Sequence, residues 1–437
     1  MLVEENIFIY LCSLIVDKIN MAIRIAIIGA GISGLSTARF FSSAGEKVTI
    51  FEKMSKPGGL IRCERIKGSL FHICGGHVFN SKRKDVLDWF WQFFCKDEEF
   101  VKADRKSVIF MDKNLIVPYP IENHVYLFDE KTQKNFINDL LFSVSHPAEE
   151  IENFEDFLKI RFGNTLYGLY FKPYNEKIWK RKLNDVPIFW LEGKLPMPTV
   201  EEMFYNNMNH IEEKSFVHSV FWYEKNNGSQ YIADKLANGL DIRFDNDILE
   251  IKLTERGTWI ISGDEFDKVV FCGNIKSLPN SLKGVNIDSF INDIEDLEYH
   301  GTTSVFCEIE HNPYSWIYLP SAAHRSHRII CTGNFSSSNN ADGKMTGTVE
   351  FTDYIGKDDI LENLNKIPFV KRYLSHYYNE YTYPIQDSHT RELIMSIKNH
   401  LEKHRFYITG RFADWEYYNM DAAIGASMDL FRRIQHE

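Results

Sequence analysis

The spacing of hydrophobic and polar positions changes along this chain, and the changes divide it. Ile23 to Ile28 is a run of apolar, mostly β-branched residues, Gly29 to Gly34 (GAGISG) interrupts it, and Leu35 to Phe41 continues with apolar residues at helical spacing. Lys47 to Phe51 returns to a strand pattern and ends on Glu52. Strand, glycine turn, helix, strand and acid in that order predict a βαβ unit of a doubly wound α/β sheet. Lys84 to Phe94 (KDVLDWFWQFF) reads as an amphipathic aromatic packing helix, and Val108 to Tyr119 as a hairpin turning on Asp112-Lys113-Asn114. Helical spacing then dominates from Leu127 to His218, through FINDLLF, FEDFLKIRF and EEMFYNNM. Beyond it, short strands are expected within 241–251, 259–272 and 303–319, helices over 349–354, 363–379 and 395–404, a strand from Phe406, and a closing helix after Asp421. The polar run Ser336 to Gly347 reads as a surface loop.

This pattern predicts an N-terminal arm (1–21), a first nucleotide-binding part (22–126), a helical substrate-covering insertion (127–218), a mixed β portion that returns to the nucleotide domain (219–380), and a C-terminal nucleotide-binding part (381–437). A chain of 437 residues exceeds one core, in keeping with that division. The net charge of −11, with no Lys/Arg run that resembles a nucleic-acid footprint, argues against nucleic acid as a partner. The apolar run Ile7 to Val16 is too short to span a bilayer, so no membrane association is expected. Seven dispersed cysteines without a CxxC pair fit reduced thiols and a cytoplasmic protein, and no metal is expected.

The glycine turn carries the first chemistry. Gly29 permits the tight turn, Gly31 the approach of a pyrophosphate, and Gly34 the close seating of the helix, which begins at Ile32-Ser33 and offers unpaired N–H groups to phosphates. Glu52, followed by Lys53, is placed to accept from a ribose hydroxyl. Spacing alone leaves NAD and FAD open.

Later segments carry a resemblance. Gly58-Gly59-Leu60 turns back beside the dinucleotide, and His72, Gly75-Gly76-His77 and Phe79 form a histidine-glycine-histidine-phenylalanine pattern. Tyr174 and Trp179 stand in FKPYNEKIW with Lys172 and Lys177 near a phosphate path, and Lys194 follows Phe189-Trp190-Leu191-Glu192-Gly193. Tyr318 precedes Arg328, Tyr383 precedes a proline, and Gly410-Arg411 leads to Tyr417-Tyr418-Asn419-Met420-Asp421. With these residues the chain resembles the UDP-galactopyranose mutases, within the flavoprotein fold shared by amine oxidases and protoporphyrinogen oxidases. It departs from the mutases at Asn80, where they often have a second histidine, at Asn419, where they have an acid, and at Lys194, which stands where they have a diphosphate-gripping arginine.

The resemblance implies a glutathione-reductase-type Rossmann-like domain with an inserted helical domain and a mixed β substrate domain. It implies FAD held by the opening motif, Gly58 to Leu60, Gly75 to His77, Gly410, Arg411 and Asn419 to Asp421. It also implies a nucleotide-sugar substrate whose pyranose and furanose forms are interconverted, the reduced flavin N5 attacking the anomeric carbon. His77 then tunes the flavin, Lys194, Arg328, Tyr318, Tyr383 and Tyr417 meet the diphosphate side, Tyr418 matches the second tyrosine of the family's catalytic pair, and Tyr174 and Trp179 wall the nucleotide or sugar. NAD(P)H is compatible as an external reductant, and a homo-oligomer is compatible with the helical domain. The alternative is a net oxidoreductase of the amine oxidase or protoporphyrinogen oxidase type.

Overall fold

The computed structural model describes residues 22–145, 151–188, 198–211 and 220–436. The expected arm and the Phe189 to Lys194 segment lie outside the described residues. Arg24–Ile28 is the middle of a five-stranded parallel sheet, ordered Phe406–Ile408, Lys268–Phe271, Arg24–Ile28, Lys47–Phe51 and Asp241–Arg243. Alternation along that strand sorts its side chains. Ile25 and Ile27 pack with the helices Ile32–Ser43, Ser229–Ala237 and Met420–Gln435, while Ala26 and Ile28 face Trp259, Ile261, Ile397 and Leu401 on the other side. Ile27 is fully buried, which contributes about 1.5–3 kcal/mol relative to leaving it in water.

A seven-stranded sheet stands beside this layer, ordered Val370–Pro384, Tyr299–Ile309, Thr346–Thr352, Arg328–Ile330, Trp316–Tyr318, Ser107–Phe110 and Ile116–Pro118. The hairpin expected around Asp112-Lys113-Asn114 forms, with its turn at Asp112–Asn114. It belongs to this sheet through pairing of Ser107–Phe110 with Trp316–Tyr318, although the sequence pattern grouped it with the first nucleotide-binding part. The helical insertion is present as Glu130–Ser145, Phe154–Leu166, Lys172–Trp179 and Val200–Asn209. Thr199 and Glu202 close a capping box on the last of these, and Phe136, Leu140, Leu158 and Phe162 fill the core between the first two.

Three expectations are corrected. Residues 349–352 of the expected helix 349–354 belong to the buried strand Thr346–Thr352, and 363–379 holds the end of helix Lys357–Leu364 followed by most of the strand Val370–Pro384. The cause lies in the pairing. Three register shifts against Tyr299–Ile309 place extra residues in Val370–Pro384, so its inward positions drift out of strict alternation and imitate helical spacing. Ser336 to Gly347 is not a surface loop either: Asn339 is fully buried, donating to the Tyr223 hydroxyl at 3.0 Å and the Thr332 carbonyl at 2.9 Å.

Candidate active site

The opening motif folds into a cradle. Gly34 admits no side chain, since a Cβ there would lie 1.9 Å from the Gly29 carbonyl oxygen, and that proximity seats helix Ile32–Ser43 against the turn. A Cβ at Gly31 would meet nothing within 4 Å, so this backbone is open to the cavity it lines. The helix start carries neither a side-chain cap nor an acid in its first turn, which leaves N–H groups for an anion. Gly58 donates to the Ala30 carbonyl at 2.8 Å and so docks the second glycine pair on the first turn. Glu52 accepts from the Ala30 N–H at 2.7 Å and the Met54 N–H at 2.9 Å. A carboxylate has further lone pairs on each oxygen, so these bonds orient it and leave it able to accept from a ribose.

From this cradle a cavity of about 1120 Å³ runs to the seven-stranded sheet. Its wall includes Ile32, Ser33, Lys53, Gly59, Leu60, Gly75, Gly76 and His77, then Arg328, Tyr383, Arg411, Tyr417, Tyr418, Asn419 and Met420. Residues from the two ends of the chain thus meet in one place. Tyr383 and Tyr417 stack with ring centroids 5.4 Å apart, and the Arg411 guanidinium lies 4.1 Å from the Tyr417 centroid. Arg328 donates from Nη2 to the Tyr383 hydroxyl at 3.0 Å and from Nε to Glu350.

Glu350, which the sequence reading missed, is the hub behind the wall. It is fully buried, accepts from the Gly75 N–H at 3.0 Å, pairs with Arg328, and lies 3.6 Å from His327 Nε2. Burial alone would raise its pKa, but the Arg328 charge and His327 outweigh it and hold the carboxyl at about 2. Burial likewise works against the Arg328 charge, and Glu350 more than offsets it, so the guanidinium stays protonated. Burial, then the Arg411 charge, push His77 down to about 4, and the imidazole is neutral at pH 7. Arg105 was missed as well: it lines the cavity, lies 4.6 Å from the Trp316 ring centroid and donates to the Tyr318 hydroxyl at 2.6 Å. Neither residue sits in a local motif. Strand register brings them in, Arg328 facing both Tyr318 and Glu350 across antiparallel pairs.

Other predicted residues stand apart from this cavity wall. Tyr174 is buried in the aromatic core, stacked on Tyr170 at 5.2 Å, and Tyr318 meets it edge-on at 5.5 Å. The Trp179 carbonyl accepts from His300 Nε2 at 2.8 Å, which ties helix Lys172–Trp179 to the sheet. Lys177 is not on a phosphate path: its ammonium donates to the carbonyls of Leu319 (2.9 Å), Ser326 (3.0 Å) and Ser321. Lys172 is exposed. Gly410 and Asp421 flank the wall; Gly410 donates to Asp414 at 3.1 Å, and Asp421 lies in the first turn of the closing helix. Lys194 lies outside the described residues.

The residues present fit a flavin dinucleotide. His77 Nε2 and Arg411 Nε are buried polar atoms without a hydrogen-bond partner in the protein, at residues lining the cavity, while the Gly31 cradle and the uncapped helix start suit a pyrophosphate. Residues 27–94 match the NAD(P)-binding Rossmann-like domain family. The chain is 28% identical over 178 residues to the UDP-galactopyranose mutase of Mycoplasma pneumoniae, covering 37% of this chain and 41% of that protein. It is 27% identical over 185 residues to the dTDP-fucopyranose mutase of Escherichia coli, covering 40% and 46%. These matches span under half the length of either relative. A crystal structure of reduced UDP-galactopyranose mutase superposes with a TM-score of 0.84 at 21% identity, over 95% of this chain and 96% of the other. A putrescine oxidase structure superposes with a TM-score of 0.63 at 14% identity, over 95% and 100%. The resemblance read from the sequence is borne out: the chain is mutase-like and has the fold of the FAD-dependent amine oxidases and protoporphyrinogen oxidases. Among the described residues no helix is long and apolar enough to cross a membrane, and no metal-ligating cluster occurs.

Proposed function

We propose that this chain is an FAD-dependent mutase that interconverts the pyranose and furanose forms of a nucleotide-diphosphate hexose. The observation that carries the reading is the wall opposite the glycine cradle, where Arg105, Arg328 and Arg411 stand among Trp316, Tyr383 and Tyr417. A cationic, phenol-rich wall suits a diphosphate leaving group, whereas an oxidase for apolar amines calls for an apolar tunnel. FAD held by the glycine cradle, Gly75 to His77 and Arg411 would supply, once reduced, a nucleophilic N5 for the anomeric carbon, and NAD(P)H would serve as one external source of the electrons.

The protein's part is alignment and retention. The Gly75 N–H bond to Glu350 fixes the turn that carries His77, and the same carboxylate fixes Arg328. One side chain therefore sets the spacing between the cofactor-facing turn and the diphosphate-facing guanidinium. A neutral His77 offers a hydrogen bond to the flavin edge without adding a charge. Arg328 and the Tyr383 hydroxyl hold the departing diphosphate close enough to return to the rearranged sugar, which is where positioning lowers the barrier most.

The test is an electron balance. Anaerobic, photoreduced protein is given UDP-, dTDP- and GDP-hexoses in large excess, and the flavin absorbance is followed while furanose product is separated by anion exchange. Many turnovers with the flavin still reduced support the mutase. Oxygen uptake or flavin reduction by amines or amino acids, with no nucleotide sugar isomerised, overturns it in favour of the oxidoreductase.

A further inference from the structure

Four arginines line the cavity, and their partners differ. Arg62 lies at the glycine end, donating from Nε to the Gly59 carbonyl at 3.0 Å. Arg411 lies over Tyr417. Arg328 contributes directional N–H groups but little net charge, because the fully buried Glu350 carboxylate neutralises it. Arg105, like Arg62 and Arg411, has no carboxylate within ion-pair distance among the described residues, and it differs from them in bonding the hydroxyl of Tyr318, the direct cross-strand neighbour of Arg328. It is held in place by neutral groups alone: Nε donates to Ser107 Oγ at 2.8 Å, Nη2 donates to the Tyr318 hydroxyl at 2.6 Å, and the plane rests 4.6 Å from the Trp316 centroid.

We infer that Arg105 is the second diphosphate-binding guanidinium of the cleft, working beside Arg328 from a fixed position just before strand Ser107–Phe110. This rests on the nucleotide-sugar reading. Tyr318 pairs directly with Arg328 across the antiparallel strands, and its hydroxyl receives Arg105, so the two guanidiniums flank one tyrosine. A diphosphate bears a negative charge on each phosphate, and a neutralised Arg328 cannot balance them; an uncompensated cation within the same wall can. Neutral sugar hydroxyls would not call for that charge. Three neutral anchors also fix the fork before binding, so little side-chain freedom is lost when phosphate oxygens meet it. The role thereby falls to a residue far in sequence from Lys194, where the family resemblance placed a cation.

The experiment is isothermal titration of the FAD-loaded protein with UDP and with UMP, for the wild type, Arg105→Gln and Arg105→Lys. Arg105→Gln is expected to weaken UDP on the order of 10–100-fold and UMP much less, with FAD absorbance and melting temperature unchanged and Arg105→Lys in between. Should Arg105→Gln lose FAD, the lysine variant decides: a weakened UDP/UMP ratio supports the inference and an unchanged ratio overturns it. UDP binding by Arg105→Gln within about twofold of wild type overturns it, as does an effect confined to a UDP-hexuronate, which would make the cation a reader of the sugar. Failure of the wild type to bind UDP or any nucleotide sugar is distinguishable from these outcomes and overturns the substrate reading together with this one.

Discussion

Replacing Glu350 with glutamine isolates the hub of the site. Glutamine keeps the shape and an oxygen for the Gly75 N–H, which now bonds Glu350 at 3.0 Å, but removes the charge that compensates Arg328. A buried carboxyl held at about 2 against an ordinary 4.5 is worth about 3 kcal/mol at neutral pH. Breaking a buried pair from one side costs about 3–5 kcal/mol, so two independent routes agree. With an unfolding entropy of ~0.9 kcal/mol/K for 437 residues, the melting temperature should fall by about 3–5 °C. The sign with pH follows from the depressed value. The contribution is complete above pH 4.5 and disappears as pH falls towards 2, so Glu350→Gln should differ most from wild type at neutral pH and converge with it in acid. Scanning calorimetry across pH 3–7 reads both. Arg328→Met added to Glu350→Gln should recover much of the loss, because no charge is then left buried alone. A Glu350→Gln variant that melts within about 1 °C of wild type at every pH, or a double variant worse than either single one, would refute this account of the hub.

Further outcomes follow from the cradle and its surroundings. Gly34→Ala should yield little folded protein, because its Cβ would sit 1.9 Å from a carbonyl oxygen, whereas Gly31→Ala should fold and lose FAD affinity, since its Cβ points into open space; equal FAD content in wild type and Gly31→Ala contradicts the cradle. Tyr383→Phe removes the acceptor 3.0 Å from Arg328 and should weaken nucleotide-sugar binding by about fivefold to tenfold while FAD absorbance is retained. Burial holds His72 at about 3 and His77 at about 4, against an ordinary 6.5. The unfolded chain therefore takes up protons first, and apo-protein stability should fall between pH 6.5 and 5, where most carboxylates stay ionised. A flat melting profile over that range, or one that His77→Asn leaves unchanged, argues against two buried neutral imidazoles.

What the sequence revealed was what is local. Gly29, Gly31, Gly34 and Glu52 could be read because turn, helix start and strand end lie within one βαβ unit, where Gly34 must clear the Gly29 carbonyl and Glu52 accepts from the Ala30 N–H. Gly410 to Asp421 was legible for the same reason, as a strand end leading into a helix start. Glu350 and Arg105 were not, because no neighbour in sequence explains them. Glu350 matters only once Thr346–Thr352 pairs with Arg328–Ile330, and Arg105 only once Ser107–Phe110 pairs with Trp316–Tyr318. Tyr174 shows the converse. Its motif suggested a wall of the cleft, yet it stacks on Tyr170 and meets Tyr318 edge-on, since a large aromatic at a helix–sheet contact gains more by packing. The tyrosine-rich strand Val370–Pro384 misled by its bulges, which shift the alternation that identifies a strand.

The proposed reaction is a change of sugar ring size driven by a flavin that ends as it began. Anaerobic UDP-galactose labelled with ¹³C at the anomeric carbon, followed by NMR over the dithionite-reduced protein, tests it most directly. Furanose anomeric signals should rise to a constant minor fraction with the reduced protein, and none should appear with the oxidised protein. Spectra that remain wholly pyranose over the reduced, FAD-replete protein, with UDP-galactose and with its dTDP and GDP counterparts alike, would contradict it.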